Sequence, residues 1–201
     1  MKKIFLLALV ITVTFPVFAT HIIGGEMSYQ YAGNNVYNFT LKVYRDCLNG
    51  AAPFDNPANI FVFNASGDLI DQLVPALLLD DTIPVTQSCS GMPSDLCAEQ
   101  GTYQFDVTLP PIAGGYTLVY QRCCRSGIIS NLQAPLEEGM TIMATIPDMT
   151  LATGNNSPVF ENYPPTAFCL NVPINFDHSA TDADGDSLVY ELCSGAQFIH
   201  E

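Results

Sequence analysis

The stretch Val36-Tyr37-Asn38-Phe39-Thr40-Leu41-Lys42-Val43-Tyr44-Arg45 decides how the chain is read. Tyr37, Phe39, Leu41 and Val43 fall at every second position, with Asn38, Thr40 and Lys42 between them. Side chains of an extended chain alternate between faces, so this period sends one set to a core and the other to water. Tyr103, Phe105, Val107 and Leu109 repeat the pattern against Gln104, Asp106 and Thr108, until Pro110 and Pro111 stop it.

Further strands are expected near 27–31, 60–64, 69–73, 116–124 and 141–146. The runs Gly33-Asn34-Asn35, Asn64-Ala65-Ser66-Gly67-Asp68 and Gly114-Gly115 between them tolerate positive φ. No stretch after residue 20 has convincing helical periodicity, and 73–81 comes nearest. The reading is all-β: an antiparallel β-sandwich, Ig-like, over residues 20–147. A break rich in Gly, Asn and Pro at 148–158 reads as a linker. Residues 159–201, with strands expected near Phe160, 172–176 and 187–192, amount to about half of the roughly 100 residues a sandwich needs. They are expected to be the first part of a second domain, the chain stopping inside it.

The opening MKKIFLLALVITVTFPVFAT carries Lys2 and Lys3, an apolar run from Ile4 to Val13, and small or apolar residues at Val17 and Ala19. It reads as a secretory signal peptide cleaved after Ala19, since the run is short of the ~20 residues that span a bilayer. Losing Lys2 and Lys3 takes the net charge of -14 to -16 and leaves Lys42, Arg45, Arg122 and Arg125 as the cations. Such a surface repels phosphate backbones and anionic lipid, which excludes nucleic acid as a partner, and it suits divalent cations. No later segment is long and apolar enough to span a membrane.

Seven cysteines in an exported chain imply a disulfide framework. There is no C-x-x-C, and His21, His178 and His200 are scattered, so zinc spacing is absent. Strand parity puts Cys47 and Cys124 on core-facing positions and favours a Cys47–Cys124 bridge. Cys89 and Cys97 bracket a loop containing Gly91 and Pro93 and are expected to pair. Cys169 and Cys193 flank the strands of the second unit, and Cys123 is left over. About 105 arrangements of three bridges and one orphan exist, so these pairs are expectations. A Cys47–Cys124 bridge would gather Arg45, Arg122 and Arg125, where pairing with acids of the same domain is expected over ligand binding.

Thr181-Asp182-Ala183-Asp184-Gly185-Asp186 sets carboxylates at alternate positions around a glycine. Hard cations such as calcium take six to eight oxygen ligands, which such a turn can converge. It is not an EF-hand, because glycine comes fourth and the twelfth position is Cys193. The same residues suit an Asx-type turn with no ion, and residue types alone leave both readings open. His178 between Asp177 and Ser179 lacks a nucleophile-elbow context and reads as a turn histidine. Asn38-Phe39-Thr40 and Asn64-Ala65-Ser66 match the N-glycosylation pattern, a weak motif.

The blocks HIIGGEMSYQY from His21, LKVYRDC ending at Cys47, QRCCR around Cys123 and Cys124, NSPVF from Asn156, and DHSATDADGDSLVYELC ending at Cys193 resemble the N-terminal part of large secreted surface proteins of Bacteroidetes. That resemblance implies repeated Ig-like or PKD-type domains and a gliding-motility-associated, type IX secretion sorting domain on a longer parent. ATDADGD is also similar to the calcium motif of cadherin-like domains, whose preceding linker donates ligands. Asn155 to Phe160 stands in the linker's place. The resemblance therefore implies calcium held by Asp182, Asp184 and Asp186 with Asn156, and Glu161 among the nearby acids.

Together these observations predict a non-enzymatic extracellular or cell-surface module with an adhesive or structural role, its partners an extracellular protein, a glycan or neighbouring domains. The alternative is a carbohydrate- or peptide-binding accessory domain of a secreted hydrolase.

Overall fold

A computed structural model describes residues 22–48, 52–84, 96–127, 129–151, 154–165 and 167–191. The expected leader at 1–19 lies outside them, as do Cys89 and Cys193. The alternating segments become strands: β1 (Ile22–Gly33), β2 (Val36–Asp46), β3 (Ile60–Asn64), β4 (Leu69–Leu73), β5 (Leu79–Ile83), β6 (Ala98–Thr108), β7 (Tyr116–Cys123) and β8 (Gly139–Ile146). They form two four-stranded antiparallel sheets, β1-β2-β6-β5 and β4-β3-β7-β8. Asn34 and Asn35, at φ 53° and 63°, make the two-residue β1–β2 turn that matches the twist of a hairpin.

Parity decides which face is wet. Tyr37, Phe39, Leu41 and Val43 are buried, and Phe39 stacks on its cross-strand partner Phe105 with centroids 5.4 Å apart. Ile60, Val62, Leu118, Tyr120 and Ile142 enter the same core from the second sheet, so the architecture is that of a β-sandwich. At one side the sheets close on each other. A Cβ at Gly25 of β1 would stand 2.1 Å from Ile142 Cδ1 of β8 and 2.8 Å from the Lys42 carbonyl oxygen, so the site takes no side chain.

Strand β5 replaces the nearest helical candidate. Its sequence Leu79-Asp80-Asp81-Thr82-Ile83 alternates weakly because it is an edge strand, exposed over most of its length. Among the described residues after 158, Val159–Phe160 (β9) pairs with Ala180–Thr181 (β10) and no other strand forms. The strands expected near 172–176 and 187–192 do not form among the described residues. Val172, Ile174 and Val189 stay exposed there, and a strand without a partner has no ladder to stabilise it.

The cysteine pairings need correcting. Cys47 bonds to Cys97, so neither the Cys47–Cys124 nor the Cys89–Cys97 bridge exists. The β2–β6 register pairs Arg45 with Glu99 and Asp46 with Ala98, which makes Cys47 and Cys97 the next rung, Cα atoms 5.3 Å apart. The clear alternation begins only at Tyr103, five residues after β6 starts at Ala98, so it does not reveal that rung. Cys123 is not an orphan: it bonds to its neighbour Cys124. Cys169 is also disulfide-bonded.

Candidate functional site

The segment expected to be a linker is tied to the sandwich. Asp148 accepts hydrogen bonds from the N–H groups of Gly114 and Thr150 at 2.9 and 2.8 Å, and Met149 sinks into the core. The Thr150 hydroxyl and those two N–H groups hold the Asp148 carboxyl below its ordinary range. Further on, the Tyr31 N–H donates to Asn156 Oδ1 at 2.8 Å and the Tyr29 N–H to Ser157 Oγ at 2.8 Å. Ser157 N–H returns a bond to the Tyr29 carbonyl at 3.0 Å. Asn155 Nδ2 donates to the Tyr29 hydroxyl at 3.0 Å. Residues 155–157 therefore satisfy backbone groups that an edge strand would leave to water or another chain.

Asn156 also reaches the acidic turn. Its backbone N–H and its Nδ2 donate to the two carboxylate oxygens of Asp184, at 2.6 and 2.9 Å. Asp182, Asp184 and Asp186 each offer a carboxylate oxygen within 4.8 Å of the others. Asp182 Oδ1 accepts the N–H groups of Asp184 at 2.8 Å and Asp186 at 3.2 Å, and Gly185 takes φ 78° to close the turn. The Asx turn is thus formed, and it is what converges the acids. Burial raises the Tyr29 hydroxyl pKa, Asn155 opposes that, and the charges of Asp182 and Asp184 push it higher.

An all-oxygen donor set of three carboxylates suits a hard cation such as calcium. Lone pairs on Asp182 Oδ2 and Asp186 remain outside the turn's own hydrogen bonds. Asn156 was expected among the ligands. Its Oδ1 accepts from Tyr31 and its amide nitrogen faces Asp184, so in this geometry it orients Asp184. Cys47, Cys97 and Glu99 also converge, but the two sulfurs are bonded to each other and offer no thiolate.

On the outer face of the first sheet, Lys42 Nζ donates to Glu26 at 3.0 Å and to the Tyr163 hydroxyl, and the Tyr44 hydroxyl donates to Glu26 at 3.2 Å. Burial alone would lower the Lys42 pKa, but these partners hold it above its ordinary value. Burial and the Glu26 charge push Tyr44 far upward. Beside this cluster Tyr44, Tyr163, Pro164, Pro165, Ile83 and Gln100 line a cleft of about 490 Å³.

Two of the arginines are spent on acids of the same domain, Arg45 on Glu99 at 2.5 Å and Arg122 on Asp55 at 2.8 Å. His178 lies against the rings of Phe160 and Phe176, at 4.5 and 5.5 Å. Asn64 holds its own turn, its Oδ1 accepting the N–H groups of Ser66 and Asp68. Sequence reasoning missed Tyr29, Tyr31, Ser157 and Tyr163, because each joins residues more than 100 positions apart. Among the described residues no helix is long and apolar enough to cross a membrane. No protein-family model, curated protein or solved structure matches this chain.

Proposed function

We propose that this chain is the N-terminal portion of a secreted or cell-surface protein of the Bacteroidetes gliding-motility-associated type, an Ig-like β-sandwich with an adhesive or structural rather than catalytic role. The observation that carries the reading is the tied junction. Asn155, Asn156 and Ser157 fasten the segment after β8 to the edge of β1, and Asn156 passes that attachment to Asp184. A junction with fixed geometry transmits force along a string of domains, which a loose tether does not. The leader at 1–19, the disulfides and the acidic surface support an oxidising, extracellular destination.

Calcium is part of this proposal. Asp182, Asp184 and Asp186 coordinate it and Asn156 positions Asp184, so the ion stiffens the junction. An ion that binds only the native state stabilises it by about 2.7 kcal/mol when present at about 100 times its Kd. Unfolding with millimolar calcium and with chelator tests this, and a melting temperature unmoved between the two retires the site. For the adhesive role, beads coated with the chain are scored for attachment to cells and to immobilised glycans. Attachment no better than albumin-coated beads removes it. The cleft beside Tyr44 and Tyr163 favours a second reading, a carbohydrate- or peptide-binding accessory domain, because aromatic rings with a few polar groups suit such ligands.

A further inference from the structure

The two sides of the sandwich are finished differently. At the β1 and β8 side, Gly25 admits Ile142 and residues 155–157 cover the edge of β1. The β4 and β5 side has edge strands in both sheets, and among the described residues no further strand pairs with either. The arch that joins them, 69–84, is held in place. The Ala58 N–H donates to the Pro75 carbonyl, the Leu77 N–H to Asn56 Oδ1 and the Leu78 N–H to the Thr102 carbonyl, at 2.9, 3.1 and 2.9 Å. Leu73 and Leu77 pack on the core, whereas Leu69, Ile70, Val74, Leu78 and Leu79 are each more than half exposed. An edge of this composition is a template for another strand.

Its charge says which strand. The arch carries Asp71, Asp80 and Asp81 and neither lysine nor arginine. A second copy is a poor occupant. The chain has a net charge of -14, and three of its four described cations, Lys42, Arg45 and Arg122, are already paired with Glu26, Glu99 and Asp55. We propose that β5 is a docking edge for an extended segment of another protein in which a pair of apolar residues adjoins a pair of basic ones, added as a fifth strand to the first sheet. Main-chain hydrogen bonds supply the pairing, Leu78 and Leu79 meet the apolar positions, and Asp80 and Asp81 meet the basic ones.

The probe is a fluorescent, end-blocked eight-residue peptide, Val-Val-Lys-Lys-Val-Val-Lys-Lys, with glutamate in place of every lysine in the control. Anisotropy gives affinity, and amide chemical shifts of the isotopically labelled chain give location. The expected result is saturable binding of the lysine peptide, with shifts centred on 79–83 and none for the glutamate peptide. Binding should weaken at least tenfold in D80N/D81N, whose exposed positions leave the melting temperature unchanged. Leu79→Ser should weaken it independently. Equal affinity of both peptides, shifts centred elsewhere, or undiminished binding by D80N/D81N overturns the proposal. So does absence of binding together with concentration-dependent dimerisation through 69–84 in sedimentation, which assigns the edge to a second copy.

Discussion

Asp55 ties three parts of the sandwich together, and its removal tests the account of the core directly. Its Oδ2 accepts the Tyr120 hydroxyl at 2.8 Å, its Oδ1 faces Arg122 Nη1 at 2.8 Å, and its backbone carbonyl accepts the Tyr103 hydroxyl at 2.6 Å. Asp55→Ala keeps the last of these and loses the other two. The Tyr120 hydroxyl, on a residue 1% exposed, then loses the acceptor for its proton, which costs about 1–3 kcal/mol. Arg122, with a side chain 12% exposed, loses its ion pair. The Asp55 side chain is 34% exposed, so this loss lies between the surface and buried limits, about 1–2 kcal/mol. The sum is about 3 kcal/mol, or a fall in melting temperature of roughly 6–12 °C for a chain of this size.

Calorimetry or circular dichroism reads that fall, and two further variants apportion it. Asp55→Asn keeps an acceptor for Tyr120 and should cost about 1 kcal/mol. In a Tyr120→Phe background the cost of Asp55→Ala should shrink by about 1–2 kcal/mol, since the hydroxyl left stranded is no longer there. Tyr37→Phe is the control, because the buried Tyr37 hydroxyl has no hydrogen-bond partner among the described residues, and its removal should leave stability equal or higher. A melting temperature for Asp55→Ala within 2 °C of the parent, or strict additivity with Tyr120→Phe, would refute the reasoning.

Gly25→Ala should destabilise by about 1–3 kcal/mol through its clash with Ile142, and Ile142→Val should recover part of that in the denaturant midpoint. Opening the Cys47–Cys97 bridge, which spans 50 residues, should cost about 2–4 kcal/mol, read as a lower midpoint for the Cys47→Ser/Cys97→Ser pair. Asp148 has a depressed folded-state pKa, so its stabilisation is complete above the unfolded value near 4 and is lost as pH falls through the folded value. Asp148→Asn should therefore flatten the acid limb of the stability profile while leaving the shape above about pH 5 unchanged. Ser157→Ala should raise hydrogen exchange at the Tyr29 amide, which donates to Ser157 Oγ, without slowing or speeding exchange at Leu118.

The strands were legible wherever a strand has one wet face. Tyr37 to Val43 and Tyr103 to Val107 declared themselves because alternation is a local property, imposed by the pleat on consecutive residues. The Asn34-Asn35 turn was legible for the same reason, through residues that tolerate positive φ. The edge strand β5 was not, since an exposed strand has no buried face to enforce a pattern. The strands expected near 172–176 and 187–192 show the converse: local alternation without a neighbour forms no ladder in the described residues.

For the candidate site, the sequence by itself determined that Asp182, Asp184 and Asp186 converge, because a glycine-containing Asx turn is made by adjacent residues. The number of cysteines also pointed to disulfides, and Cys47, Cys97, Cys123, Cys124 and Cys169 are disulfide-bonded. Which sulfurs met was settled by the tertiary structure, through the β2–β6 register that sets Cys47 opposite Cys97. The structure likewise decided that Asn156 holds Asp184 and Tyr31 at once. Pairing across 50 or 125 residues depends on how strands align and which edge is left open, and neither quantity is written in the neighbourhood of any one residue.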